Sequence, residues 1–187
     1  MRDKWVDSVN AMIASYRRMI EATVEQLTDD EFFRRPEPSI NSVAIILRHL
    51  GGNLQSRWSG FFSTDGEKES RDRDSEFSDW DGDRASLMEY FQTGWQQFSQ
   101  TVATIDSTNV NSTVFIRGEA HSVPQAVQRS LTHVAYHVGQ IAIIARMVHE
   151  GEWKWLSIAP GKSAAHNAKT WGTAASRGVL GATDDDA

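Results

Sequence analysis

Apolar residues recur at steps of three and four in four separate stretches of the chain, each long enough for an amphipathic helix. The first runs through Val6, Val9, Ile13, Tyr16, Ile20, Val24 and Leu27. Thr28-Asp29-Asp30-Glu31 follows as a capping box that opens a short turn over Glu31-Phe32-Phe33, and Pro36 and Pro38 end it. The second stretch starts at the N-cap candidates Asn41 and Ser42 and carries Val43, Ile46, Leu47, Leu50, Leu54, Trp58 and Phe61. Gly51-Gly52 interrupts it. Each glycine costs a helix interior about 0.5–1 kcal/mol relative to alanine, a cost that makes sense where another backbone passes close or the helix kinks. The third stretch begins near Arg84 and carries Met88, Phe91, Trp95, Phe98, Val102 and Ile105. The fourth carries Val127, Leu131, Val134, Val138, Ile141, Ala145 and Val148, with Pro124 in its first turn and Gly151 as a C′ candidate.

Thr113–His121 carries a strand pattern instead. Val114, Phe115 and Ile116 favour strand and Gly118 marks a turn, so a small hairpin is expected before the last helix. Four amphipathic helices without alternating strands predict an all-α four-helix bundle. A single domain is expected over residues 1–172, with regular periodicity ending after Gly151 and a mobile tail over 173–187.

Between the second and third helices lies a charged stretch, Ser63 to Asp83, with no helical or strand period. It is long enough to cross the bundle, so the helices need not alternate up and down. It reads either as a solvated linker or as a lid over a site, and Phe77 and Trp80 favour a loop that packs.

Composition then narrows the chemistry. The 187 residues carry 19 basic and 25 acidic side chains, a net charge of −6, which disfavours nucleic acid as a partner. There is no cysteine, which removes disulfides, thiolate catalysis and cysteine-ligated zinc. No apolar run approaches the roughly 18 residues of a membrane span, and Met1-Arg2-Asp3-Lys4-Trp5 does not open a signal peptide, so a soluble cytoplasmic protein is expected.

Any metal must therefore use His, Asp, Glu or water. His133 and His137 stand four residues apart on the fourth helix and leave the same face one turn apart, beside the apolar seam. His49, flanking Leu50 and Leu54 on the second helix, is the natural third ligand. Three neutral imidazoles with one open position form a catalytic arrangement for zinc, and imidazole also suits nickel, copper and iron. Spacing alone leaves a hydrogen-bonded core pair as an equal reading. The chain has no His-Glu-x-x-His motif and no Glu-x-x-His pair, which disfavours a zincin protease and a di-iron bundle. His149 suits a helix C-terminus, while His121 at the hairpin and His166 in the irregular tail read as surface residues. Arg48 and Arg57 are either solvated helix arginines or anchors for an anionic substrate. Asn53, Arg57 and Gln140, near the three histidines in sequence pattern, are candidate substrate contacts. Tyr136 reads as a packing residue. No carboxylate is evidently aimed at the site.

Arg48-His49-Leu50-Gly51-Gly52-Asn53-Leu54, the loop pieces Thr64-Asp65-Gly66-Glu67-Lys68 and Arg73-Asp74-Ser75-Glu76-Phe77, His133-Val134-Ala135-Tyr136-His137-Val138-Gly139-Gln140-Ile141 and Trp155-Leu156-Ser157-Ile158-Ala159-Pro160-Gly161 together resemble the DinB-like (YfiT-like) superfamily, and within it a bacterial branch of unknown function. The similarity covers about Val6 to Asn167. It implies an up-down-down-up bundle, a homodimer, and one divalent ion, zinc or nickel, held by three histidines that correspond here to His49, His133 and His137. Some relatives are S-transferases or a maleylpyruvate isomerase that use a low-molecular-weight thiol. The function expected is a metal-dependent enzyme in which the three-histidine site activates a small thiol or water against a small-molecule substrate. The alternatives are a non-catalytic helical bundle that binds a partner or serves a stress response, and a scaffold whose metal only braces the fold.

Overall fold

The computed structural model describes residues 4–170. Four long helices form the body: α1 (Lys4–Val24), α3 (Val43–Trp58), α4 (Arg84–Ala103) and α5 (Val123–Val148). A short α2 (Asp29–Phe33) follows α1, and α6 (Ser163–Thr170) lies near the end. Strands β1 (Thr113–Ile116) and β2 (Glu119–Ser122) pair antiparallel as a hairpin, with Arg117 and Gly118 at positive φ in its turn. The all-α bundle is thus as expected, and the hairpin is an appendage to it.

Local chemistry sets the helix starts. Ser42, Asp83 and Ser122 each accept a backbone N–H from the first turn of α3, α4 and α5. Thr28 with Glu31, and Ser122 with Gln125, make reciprocal capping boxes. The last helix ends differently from the expectation. His149 caps α5 in an extended conformation and its Nδ1 lies 3.3 Å from Glu31 Oε2, so a polar contact with Glu31 holds the end where a left-handed Gly151 was expected. The segment after Gly151 is also not wholly irregular. α6 has no apolar stripe and leaves nearly all its residues exposed, which is why periodicity misses it. The expected tail, 173–187, lies outside the described residues.

Helix directions follow from side-chain contacts. Gly51 and Trp58 of α3 meet Gly94 and Phe98 of α4 in the same order, so these two helices run parallel. Arg17 meets Gln92 while Val24 O accepts from Arg84, so α1 opposes α4. His49 meets His137, whereas Arg57 lies in the field of Arg129, so α5 opposes α3. The order is up-down-down-up. Two consecutive parallel helices need a full-length return, and the charged stretch provides it. It runs back beside α3, with Gly66 O accepting from Ser56 Oγ and the carbonyls of Ser78 and Asp79 accepting from Arg48.

α3 is buried nearly all round, and Leu47, Leu50, Leu54 and Trp58 fill the centre against Leu87, Phe91 and Phe98 of α4 and Val134 and Ile141 of α5. Leu87, not its neighbour Met88, takes the core position at the start of α4. The glycines of α3 are explained by close approach. A Cβ at Gly94 would lie 2.5 Å from Gly51 O, and one at Gly51 would lie 3.1 Å from Phe91 Cα. Both obstacles are backbone, which cannot swing aside. Gly94→Ala is therefore expected to destabilise the fold by about 1–3 kcal/mol, the usual cost of overpacking. A lower urea midpoint with unchanged slope would record it.

Candidate functional site

His49 projects from the middle of α3, and His133 and His137 from successive turns of α5. The three rings converge. His133 Nε2 lies 3.2 Å from His49 Nε2 and 3.1 Å from His137 Nε2, and one nitrogen from each ring falls within 4.8 Å of the others. Zinc–nitrogen bonds of about 2.0–2.1 Å place the nitrogens of a tetrahedral site about 3.3 Å apart, so the two short separations match a tetrahedron's edge.

The far side of each ring decides what the near side can do. His49 Nδ1 lies 2.8 Å from Glu76 Oε2, and a carboxylate only accepts, so His49 donates its Nδ1 proton there. His137 Nδ1–H donates to Gln140 Oε1 at 2.8 Å, and Gln140 Nε2 in turn donates to Tyr136 Oη at 2.9 Å. In their neutral forms both rings therefore present Nε2 lone pairs toward His133. His133 has one ring proton to offer and two such neighbours, and its Nδ1 is buried with no partner among the described residues. Hydrogen bonds among the three rings cannot satisfy the cluster. A cation between them would engage all three Nε2 lone pairs, leaving only His133 Nδ1 without a partner among the described residues.

Electrostatics keeps two of these rings neutral. Burial pushes His133 down to about 3, reinforced by His137 and His49 beside it. Burial and the neighbouring His49 push His137 down to about 4, against the opposing pull of Gln140. Neutral imidazole is the form that ligates metal.

The charged stretch supplies what sequence reasoning missed. Glu76, in a 3-10 turn over Ser75–Phe77, is 3% exposed although it lies among acidic and basic residues that mostly face solvent. The expectation that no carboxylate reaches the site is corrected by this residue. Arg71 clamps Glu76 with two hydrogen bonds, Nε to Oε1 at 2.7 Å and Nη2 to Oε2 at 2.8 Å. Burial would raise the Glu76 carboxyl, but its bonds to His49 and Arg71 outweigh this and lower it, so it stays ionised. Phe77 stacks on the His49 ring at 4.7 Å. Gly52 makes the arrangement possible, because a Cβ there would collide with Glu76 Oε1. A glycine pair inside an otherwise good helix was the available signal for this approach. The stretch is neither a free linker nor a detached lid: Glu76 on His49, Gly66 and Lys68 on Ser56, and Ser78 and Asp79 on Arg48 tie it to α3.

The other singled-out residues divide. Gln140 accepts from His137 Nδ1 and so orients that ring. Asn53 is half-buried one turn beyond His49, and Arg57 is buried one turn further. Arg48 holds the loop carbonyls and lies over the Trp80 ring, so it anchors the return loop. Tyr136 is 62% exposed, with its ring edge against His137 and its hydroxyl on Gln140; it is not a core residue. His121, His149 and His166 lie outside the cluster.

A family model described as "Protein of unknown function (DUF1572)" matches residues 1–162. The chain belongs to this family. The matched span contains every DUF1572 residue named above in the histidine cluster and its supports. Neither the search of curated proteins nor that of solved structures gave a match. Among the described residues of this DUF1572 chain, no helix is long and apolar enough to cross a membrane.

Proposed function

We propose that His49, His133 and His137 hold one divalent metal ion, and that the protein is a soluble cytoplasmic metal-dependent enzyme using water or a small thiol as nucleophile. The observation that carries this is His133 Nε2, set 3.2 and 3.1 Å from two nitrogens whose rings hold their protons on the opposite side. The donor set fits: three imidazoles, two kept neutral by burial, with Glu76 and Gln140 accepting the far-side ring protons and so fixing ring orientation, as the partners of metal-ligating histidines do. The resemblance to the DinB-like (YfiT-like) superfamily supports the same ligands and favours zinc or nickel. A bound divalent ion would supply Lewis acidity, lowering the pKa of a coordinated water toward about 7 and deprotonating a coordinated thiol.

The chain's own residues do the rest. Glu76 and Gln140 hold ring protons away from the convergence point. Asn53, one turn beyond His49, is proposed to contact the substrate. Transfer to a thiol is preferred over hydrolysis on the resemblance alone. A homodimer is likewise proposed, and sedimentation velocity tests it.

Elemental analysis of protein purified from zinc- and nickel-supplemented culture tests the metal directly. One ion per chain is expected. A chelator should lower the melting temperature by about 5–10 °C, the shift that binding at a hundred times Kd gives a domain of this size. Metal-free protein that ignores the chelator would overturn the reading.

A further inference from the structure

Arg57 is a buried cation without an adequate partner. Its residue is 6% exposed and, among the described residues, its Nη1 is buried with no hydrogen bond and its one ion pair, Nη2 to Glu67 Oε2, is long at 3.6 Å. Glu67 cannot serve it well, because the same carboxylate also faces Arg71 at 3.2 Å and Arg117 at 3.4 Å. Arg71 is meanwhile committed to Glu76. Burial pushes the Arg57 guanidinium down to about 10, and Arg129, Arg71 and Arg117 add repulsion to it. Leaving a charged group in this condition costs stability, and a fold normally avoids it by pairing the charge or replacing it with an apolar side chain.

Its place relative to the histidines gives the cost a purpose. His49, Asn53 and Arg57 follow one another at four-residue steps along α3, so they share a face. Arg129 precedes His133 by the same step on α5. The two helices run in opposite directions, so both arginines lie on the same side of the histidine cluster. Arg57 forms the buried floor, while Arg129 and Arg117 are exposed and form the rim. Arg57 and Arg71 are close enough to bear on His133. Gly66 lies directly over the guanidinium: a Cβ there would come within 3.3 Å of Arg57 Nη1. In a chain of net charge −6, this concentration of guanidinium groups is local and positive.

We propose that Arg57, with Arg129 and Arg117 at its rim, is an anion subsite beside the three histidines, and that the substrate or co-substrate carries a carboxylate or phosphate group bound there. As a substrate subsite this rests on the metal-centre reading above; as an anion site it stands without it. A planar guanidinium recognises either oxyanion through paired N–H donors, and a desolvated one does so more strongly than one in water.

Titrating the metal-free and the zinc-loaded protein separately with inorganic phosphate and with succinate, at constant ionic strength, tests this by calorimetry. Saturable binding of at least one of the two is expected in the metal-free protein. Arg57→Met and Arg129→Gln should each weaken it by about tenfold or more, the worth of a charge-assisted hydrogen bond. Arg57→Met should also melt at or above the parent temperature, because it removes an ill-paired buried charge, whereas a purely structural arginine would lower it. Should Arg57→Met fail to fold, the exposed Arg129→Gln decides. Absence of saturable binding of both probes, or equal binding by parent and variants, overturns the subsite. Anion binding in a protein that takes up no zinc would keep the subsite and remove the metal centre, so the two failures are distinct.

Discussion

His133→Ala is expected to abolish ion binding while leaving the metal-free protein as stable as the parent, or more so. His133 is the middle ring of the cluster, within 3.2 Å of both neighbours, and its loss leaves two ligands where three converged. Metal content should fall from one ion per chain to near zero, and the chelator-induced drop in melting temperature should vanish with it. The stability of the metal-free form separates a ligand from a packing histidine. In the parent, burial holds this ring neutral and its Nδ1 finds no partner. A group like that lowers the stability of the empty fold, so its removal costs little. A packing histidine would instead leave a destabilising gap.

Acid titration of the same pair gives an independent reading. The unfolded imidazole takes its proton near 6.5, whereas folded His133 and His137 do so only near 3 and 4. Between those values the unfolded chain binds more protons, so the contribution of these two rings lowers the stability of the metal-free parent as pH drops below 6.5, and that contribution levels off below about 3. His133→Ala should show the shallower fall, by up to one proton, in urea midpoints measured from pH 7 to pH 4.

The bundle and two of the three clustered histidines were legible because both depend on local spacing. His133 and His137 share a face for the same reason that Val134, Val138 and Ile141 do, and helical geometry carries both patterns. His49 needed one further step, its place beside the buried Leu50 and Leu54. Glu76 could not be found that way. It sits among Glu67, Glu69, Asp72 and Asp74, and no period distinguishes the one carboxylate that turns inward. What selects it is tertiary: α3 and α4 run parallel, the return loop must lie along α3, and Gly52 leaves room for one side chain beside His49. The glycine pair recorded that vacancy in sequence, but as a conformational cost rather than as a contact. Gln140 shows the reverse case. Its four-residue relation to Tyr136 and three-residue relation to His137 were visible, but whether its amide faced a substrate or a ring nitrogen depended on side-chain geometry alone.

Glu76→Gln should have the second large effect, and it acts on two properties at once. The substitution keeps the shape and an oxygen acceptor for His49, but removes the charge that balances Arg71, whose side chain is 4% exposed. Removing one partner of a buried ion pair costs about 3–5 kcal/mol. The lower end of that range is expected, because Arg71 retains Glu67 at 3.2 Å. Metal affinity should also fall, by about 10–100-fold, as it does when the group that orients a ligating histidine is weakened. The two effects separate in the double variant Glu76→Gln with Arg71→Met. Taking away both charges removes the unpaired cation, so most of the stability should return in urea unfolding, because an apolar replacement of a buried pair is often nearly neutral. The affinity should not return, because the His49 Nδ1 proton still faces an amide oxygen where the parent has a carboxylate. Recovery of both together would mean that Glu76 supports the fold alone and has no hold on the metal centre.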